Sequence, residues 1–165
     1  MMNFKEIEEI KKEGFAGFKP MKELFKDNST IPKIRGVYMV LNISKEKEFL
    51  TVGTGGYFKG KNPNVSIQEL EYNWVEDTIV VYIGKAGGEG SSATLRSRLG
   101  QYFRFGQGKN VGHYGGRLIW QLKNSIDLVV CWKELPKEDP RTVESELFRD
   151  FINQFSKLPF ANLTI

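Results

Sequence analysis

Two glutamates near the end of the chain stand in opposite relation to the apolar residues around them, and that contrast is where chemistry first shows. Pro140 to Ser156 has the spacing of a helix, with Val143, Leu147, Phe148, Phe151, Ile152 and Phe155 on one broad stripe. Glu144 precedes Leu147, Phe148 and Phe151 by three, four and seven positions, which puts it near the centre of that stripe. Glu146 points away with Arg149, Asp150 and Asn153 and reads as a solvated residue. A carboxylate turned into an apolar face costs on the order of several kcal/mol unless something compensates its charge. A salt bridge to a buried arginine would do so, and so would a divalent cation.

A second helix, expected from Ala93 to about Phe105, repeats the pattern with the opposite charge. Leu95, Leu99 and Tyr102 form its apolar line, and Arg98 stands beside that line while Arg96 and Arg104 turn further away. An arginine so placed serves either as partner to a buried acid or as a ligand for phosphate, and one site can use both. From Lys85 to Arg117 the cations Lys85, Arg96, Arg98, Arg104, Lys109 and Arg117 face one acid, Glu89, and are interleaved with Tyr102, Phe103, Phe105 and Tyr114. That mixture suits a phosphate backbone with exposed bases, and equally a solvated basic surface over core aromatics. The only histidine, His113, lies in a glycine-rich loop, where it would serve as a proton donor, as a phosphate contact, or as neither.

The elements that position these residues follow from periodicity and from the breakers between them. Asn3 to Glu13 and Pro20 to Asp27 read as short helices, Gly14 capping the first and Pro20 opening the second. Gly36 to Leu41 reads as a buried strand with Glu48 to Val52 as its partner, and residues 53–64 as a loop. A short helix at Ser66 to Trp74, a strand at Thr78 to Ile83, a glycine and serine loop to Ser92, and strands at Arg117 to Leu122 and Ile126 to Glu134 complete the order. Helices, strands, helix, strands, helix predict a sheet covered by helices, of α+β class.

At 165 residues, 40% hydrophobic and 27% charged, the chain fits one globular domain. Its longest apolar runs, Val37 to Leu41 and Ile79 to Ile83, are far short of the roughly 20 residues a membrane span needs. The N-terminus lacks the pattern of a signal peptide, so a cytoplasmic protein is expected. The single cysteine, Cys131, sits in an apolar run where burial is expected. The net charge of +4 favours anionic partners. Neither glycine-rich loop fits a nucleotide-binding motif: Phe58 stands where a dinucleotide loop needs its last glycine, and Gly84 and Lys85 are followed by Ala86.

Gly36, Val37 and Tyr38 form one motif; Tyr82, Ile83 and Gly84, continued by Lys85 and Ala86 and then by Leu95 to Leu99 with Tyr102 and Phe103, form a second. With Glu144 and the terminal Pro159, Phe160, Ala161 and Asn162, they make the chain resemble the GIY-YIG nuclease superfamily over residues 36–162. The second block is similar to the corresponding segment of the bacterial nucleotide-excision-repair incision nuclease. The stretch from Tyr38 to Tyr82 is longer than in the simplest members, as in restriction-type ones, and its insert around Gly53 to Lys61 is a further candidate for contact with DNA.

The resemblance implies a small central antiparallel sheet flanked by helices over residues 36–165, with residues 1–35 as an N-terminal helical appendage. It implies a DNA endonuclease, monomeric or homodimeric, using one Mg²⁺ or Mn²⁺ held by Glu144. Arg98 would stabilise the pentavalent phosphate and Lys85 assist. Tyr38 or Tyr82 would activate water, which requires a nearby cation to lower a phenol whose ordinary pKa is about 10. Tyr102 and Asn162 would position groups, and Lys85, Arg96, Arg104, Lys109, His113 and Arg117 would meet the nucleic acid. The rival reading is a catalytically inactive DNA-binding module of the same fold.

Overall fold

A computed structural model describes residues 1–165. The fold is α+β, built on one four-stranded sheet in which every neighbouring pair is antiparallel. Strand β1 (Ala16–Pro20) lies at one edge, then β4 (Val129–Glu134), β2 (Gly36–Leu41) and, at the other edge, β3 (Val80–Ala86). Every residue of β2 is buried, because it is central in the sheet and covered on both faces. Tyr38 and Val40 of β2, with Val130 and Trp132 of β4, face one apolar layer, while Val37, Met39 and Cys131 face the other, as the two-residue period of a strand requires.

The first layer comprises α2 (Met21–Lys26), α3 (Ile67–Asn73), α4 (Leu95–Gly106) and a 3₁₀ segment, Tyr114–Gln121. The second comprises α1 (Ile7–Lys12) and α5 (Pro140–Phe155), with Phe4 edge-on to Phe151. The helix ends are explained locally. Ser66 accepts the Glu69 N–H at the start of α3, Thr94 and Ser97 cap α4 reciprocally, and Pro140 opens α5, where its missing N–H costs nothing. No helix is long and apolar enough to cross a membrane.

Three expectations are corrected. The N-terminal 35 residues are not purely helical: β1 pairs with β4 through a bulge between Gly17 and Lys19, with Phe18 at φ 57. The Phe4 carbonyl accepts from the Ile79 N–H and the Thr78 hydroxyl, and Met2, Phe4, Ile10 and Phe15 are buried with α5. Glu48 to Val52 is no strand and forms a single bridge, Phe49 to Leu122, since both edges of β2 are already taken by β3 and β4. Arg117 to Leu122 belongs largely to the 3₁₀ segment; Leu118, Ile119 and Trp120 are all buried there, and a fully buried run carries no period by which to tell strand from helix.

Candidate active site

One cavity of about 320 Å³ collects Tyr38, Tyr82, Lys85, Arg98 and Glu144, with Gln101, Ser91 and the backbone of Gly84 to Gly87. It sits where β3 runs out at the sheet edge, and both layers contribute. Tyr38 and Tyr82 are buried with α4, whereas Glu144 comes from α5, whose apolar residues Val143, Leu147 and Phe148 pack in the opposite layer. Lys85 alternates with Tyr82 and Gly84 along β3, so its side chain emerges on the α5 side.

Tyr38 and Gly84 are register partners on β2 and β3. The phenol of Tyr38 lies across Gly84 so closely that a Cβ there would strike the ring and its hydroxyl. Glycine at 84 is therefore what lets Tyr38 reach the cavity. The Tyr38 and Tyr82 ring centroids are 6.1 Å apart. Arg98 is held from behind, its Nη1 donating to the Gly112 carbonyl at 3.1 Å and to Gln101 Oε1 at 3.2 Å, which leaves other donors of the fork for the cavity.

Glu144 is half-buried. It flanks the packed stripe of α5 rather than occupying its centre, because Val143, Leu147 and Phe151 carry the contact with the sheet. It takes part in none of the chain's ion pairs, so the structural salt bridge is absent. Burial raises its carboxyl pKa, and Lys85, then Arg141 and Arg98, pull it back down.

The phenols behave contrary to expectation. Burial, reinforced by Tyr82, holds Tyr38 well above its ordinary value of 10.0 against the pull of Arg98. Burial likewise pushes Tyr82 up to about 12, with Arg98 again opposing. A cation is nearby, but desolvation outweighs it. In the free protein neither tyrosine is a phenolate at neutral pH.

Tyr102 and Asn162 lie outside the cavity and act on its walls. Tyr102 is buried, stacks on the His113 ring at 3.9 Å and donates to the Gly116 carbonyl at 2.7 Å. A Cβ at Gly116 would collide with that hydroxyl. Asn162 imitates a neighbouring strand: its Oδ1 accepts the Ile83 N–H and its Nδ2 donates to the Ile83 carbonyl, each at 2.9 Å. With the Ala161 N–H bonded to Val81, it closes the edge of β3 up to the residue beside Tyr82.

The residues expected to meet nucleic acid divide. Lys85 lines the cavity, while Arg104 and Lys109 are exposed on α4 and the loop after it. Arg117 is half-buried with its guanidinium 4.1 Å above the Tyr114 ring. Arg96 instead clamps the loop before β2, donating to the Ile31 carbonyl at 2.8 Å and the Ser29 carbonyl at 2.7 Å. His113 is 1% exposed, so no nucleic acid can touch it; its Nε2 lies 2.9 Å from the Tyr38 hydroxyl. Arg141 and Gln101 were not anticipated, although each is three positions from a residue that was, Glu144 and Arg98, and so shares its helix face.

No known family model, curated protein or solved structure matches the chain. The site's meaning therefore rests on its chemistry.

Proposed function

We propose that this protein is a divalent-metal-dependent endonuclease that hydrolyses phosphodiester bonds in DNA on a GIY-YIG-like core. The observation that carries the reading is the half-buried, unpaired carboxylate of Glu144 sharing one cavity with Arg98, Lys85 and two buried phenols.

Glu144 suits a hard cation, because its oxygens have neither an ion pair nor a hydrogen bond to lose. No cluster of three metal-ligating side chains exists, so Glu144 would be the chief protein ligand, a sparse protein share that Mg²⁺ and Mn²⁺ accept. Held there, such an ion would supply charge neutralisation to the reaction. Arg98, braced by Gly112 and Gln101, presents its remaining donors to a non-bridging oxygen, and Lys85 adds a second cation. Tyr38 and Tyr82 stay neutral and hydrogen-bond the attacking water. Asn162 holds the β3 backbone next to Tyr82, and Tyr102 fixes the loop behind Tyr38.

The approach surface is formed by residues 53–64 and 104–117, which carry Lys59, Lys61, Arg104, Lys109 and Arg117 and no acid, in a chain of net charge +4. The two segments are joined by bonds from the Gly56 N–H to the Phe105 carbonyl, the Lys59 N–H to Asn110 and the Tyr114 hydroxyl to the Asn62 carbonyl. Arg98 bonds Gly112 of the same surface, which leads a phosphate backbone into the cavity. One such site in a monomer nicks a single strand; cutting both requires a homodimer or a second encounter.

Purified protein incubated with supercoiled plasmid tests the reading. Wild type should nick with Mg²⁺ or Mn²⁺ and not with EDTA, and Glu144→Ala should be slower by about 100-fold or more. No nicking by wild type, with retained DNA binding, establishes the inactive binding module instead. Equal nicking by both proteins removes Glu144 from the site.

A further inference from the structure

The chain's only histidine is sealed inside the protein, and the single hydrogen bond of its ring is to a tyrosine that lines the cavity. Its Nε2 lies 2.9 Å from the Tyr38 hydroxyl, its ring lies flat on Tyr102 at 3.9 Å and 19°, and its Nδ1 has no hydrogen-bond partner. A buried imidazole needs a hydrogen-bond partner, and the one this ring takes is a phenol that lines the cavity. A histidine kept for nucleic acid would not be buried.

Resting on the hydrolase reading above, we propose that His113 is the proton acceptor behind Tyr38, so that Tyr38 passes on the water's proton without becoming a phenolate. As the water oxygen bonds to phosphorus, its proton moves to Tyr38 Oη and the proton originally on Oη moves to His113 Nε2. The bond from phosphorus to the leaving oxygen breaks, and that oxygen takes a proton from cavity water. His113 then returns its proton through Tyr38 to solvent, leaving a phosphate monoester, an alcohol and the starting protein.

Burial first, and Arg98 second, push the His113 pKa down to about 3, so the imidazole is neutral at rest but a weak base until charge arrives beside it. Negative charge arriving on Arg98 in the transition state cancels the second of those causes. The face of Tyr102 then stabilises the imidazolium by a cation–π contact. The titratable and charged groups around His113 are Tyr38 from β2, Tyr82 from β3, and Arg98 and Tyr102 from α4; none is a carboxylate that would hold a proton on His113 at rest.

Because there is one histidine, its ring nitrogens give a single pattern in a ¹H–¹⁵N imidazole spectrum. The relay requires the proton on Nδ1 and the lone pair on Nε2. A proton found on Nε2 overturns it whether or not the protein cuts DNA. Nicking by His113→Gln, which keeps a polar group near Tyr38 but cannot take its proton, and by His113→Phe, which keeps the stack, provides the second readout. Both should lose about 100-fold or more in rate at saturating DNA, with affinity within about threefold of wild type. Both should also show a rate rising about tenfold per pH unit between roughly pH 7 and 9, as hydroxide replaces the lost acceptor. A His113→Gln protein with wild-type rate and pH profile overturns the relay and leaves the hydrolase intact. A wild type that cuts nothing overturns both.

Discussion

Replacing Lys59, Lys61 and Lys109 together by alanine removes three exposed cations from the surface beside the cavity while leaving the core, the cavity lining and its charges in place. Lys59 lies over the Phe58 ring at 5.2 Å and Lys61 over Tyr114 at 5.6 Å, interactions worth roughly 0.5–1 kcal/mol each at exposed positions, so the fold should survive. Each phosphate a lysine neutralises contributes about 0.9 to the slope of log affinity against log salt. Without these three lysines that slope should flatten by about 2.7, so that raising salt fourfold costs the variant about 40-fold less affinity than it costs the parent. The assay is fluorescence anisotropy of a labelled duplex between roughly 50 and 200 mM salt. Both proteins should carry Glu144→Ala, so that binding is read without cutting. A slope that changes by less than about 1 refutes the assignment of these segments to the DNA path, because it would leave at most one of the three lysines on a phosphate.

Asn162→Ala leaves the buried Ile83 N–H and carbonyl without their partners, a loss of about 2–4 kcal/mol that lowers Tm by on the order of 10 °C in thermal unfolding; a change below about 2 °C would show the edge of β3 needs no such cover. His113 contributes to the acid limb of stability: its folded pKa of about 3 lies below its ordinary 6.5, so its contribution is full above about pH 6.5 and is lost as pH falls toward 3. That amounts to several kcal/mol, and urea unfolding of His113→Gln should lack this part of the acid slope; an unchanged slope would place the loss elsewhere. Lys85, Arg141 and Arg98 all act on Glu144, so Mn²⁺ should bind free protein weakly and at least about tenfold tighter beside an uncleavable duplex. Calorimetry giving equal affinities would separate the ion from the phosphate.

The parts of the site legible in the chain are those whose geometry is set by one element's own period. Glu144 and Arg98 stand out because a helix fixes the phase of each side chain against its apolar stripe, and Tyr38 and Tyr82 because each sits in a strong strand pattern. What stays hidden depends on contacts between elements. Strand β1 is masked by Gly17 and Pro20, breakers that only an edge strand with a bulge can absorb. Arg96 and Arg98 look alike locally, and only the fold sends one to the Ser29 and Ile31 carbonyls and the other to the cavity. Nothing in the glycines around His113 announces that the loop folds inward onto Tyr102.

The position of the cavity follows from the sheet order. A residue of α5 and a residue of α4 belong to opposite layers and are kept apart by the strands everywhere except where an edge strand ends. The 161–162 segment seals β3 as far as Ile83; past it, at Lys85 to Gly87, the two layers meet. Only there can the Glu144 carboxylate face Arg98 without either crossing the core. The arrangement leaves Lys85 and Arg98 against one carboxylate, with phenols that burial keeps neutral, so the cavity carries a net positive charge before anything binds. A phenolate at rest would cancel that charge and repel a phosphodiester, whereas a neutral phenol backed by a neutral imidazole preserves it. The same burial that makes Tyr38 a poor base by itself thus keeps the site receptive to an anion, and the hydrogen bond to His113 gives the proton somewhere to go once the anion has arrived.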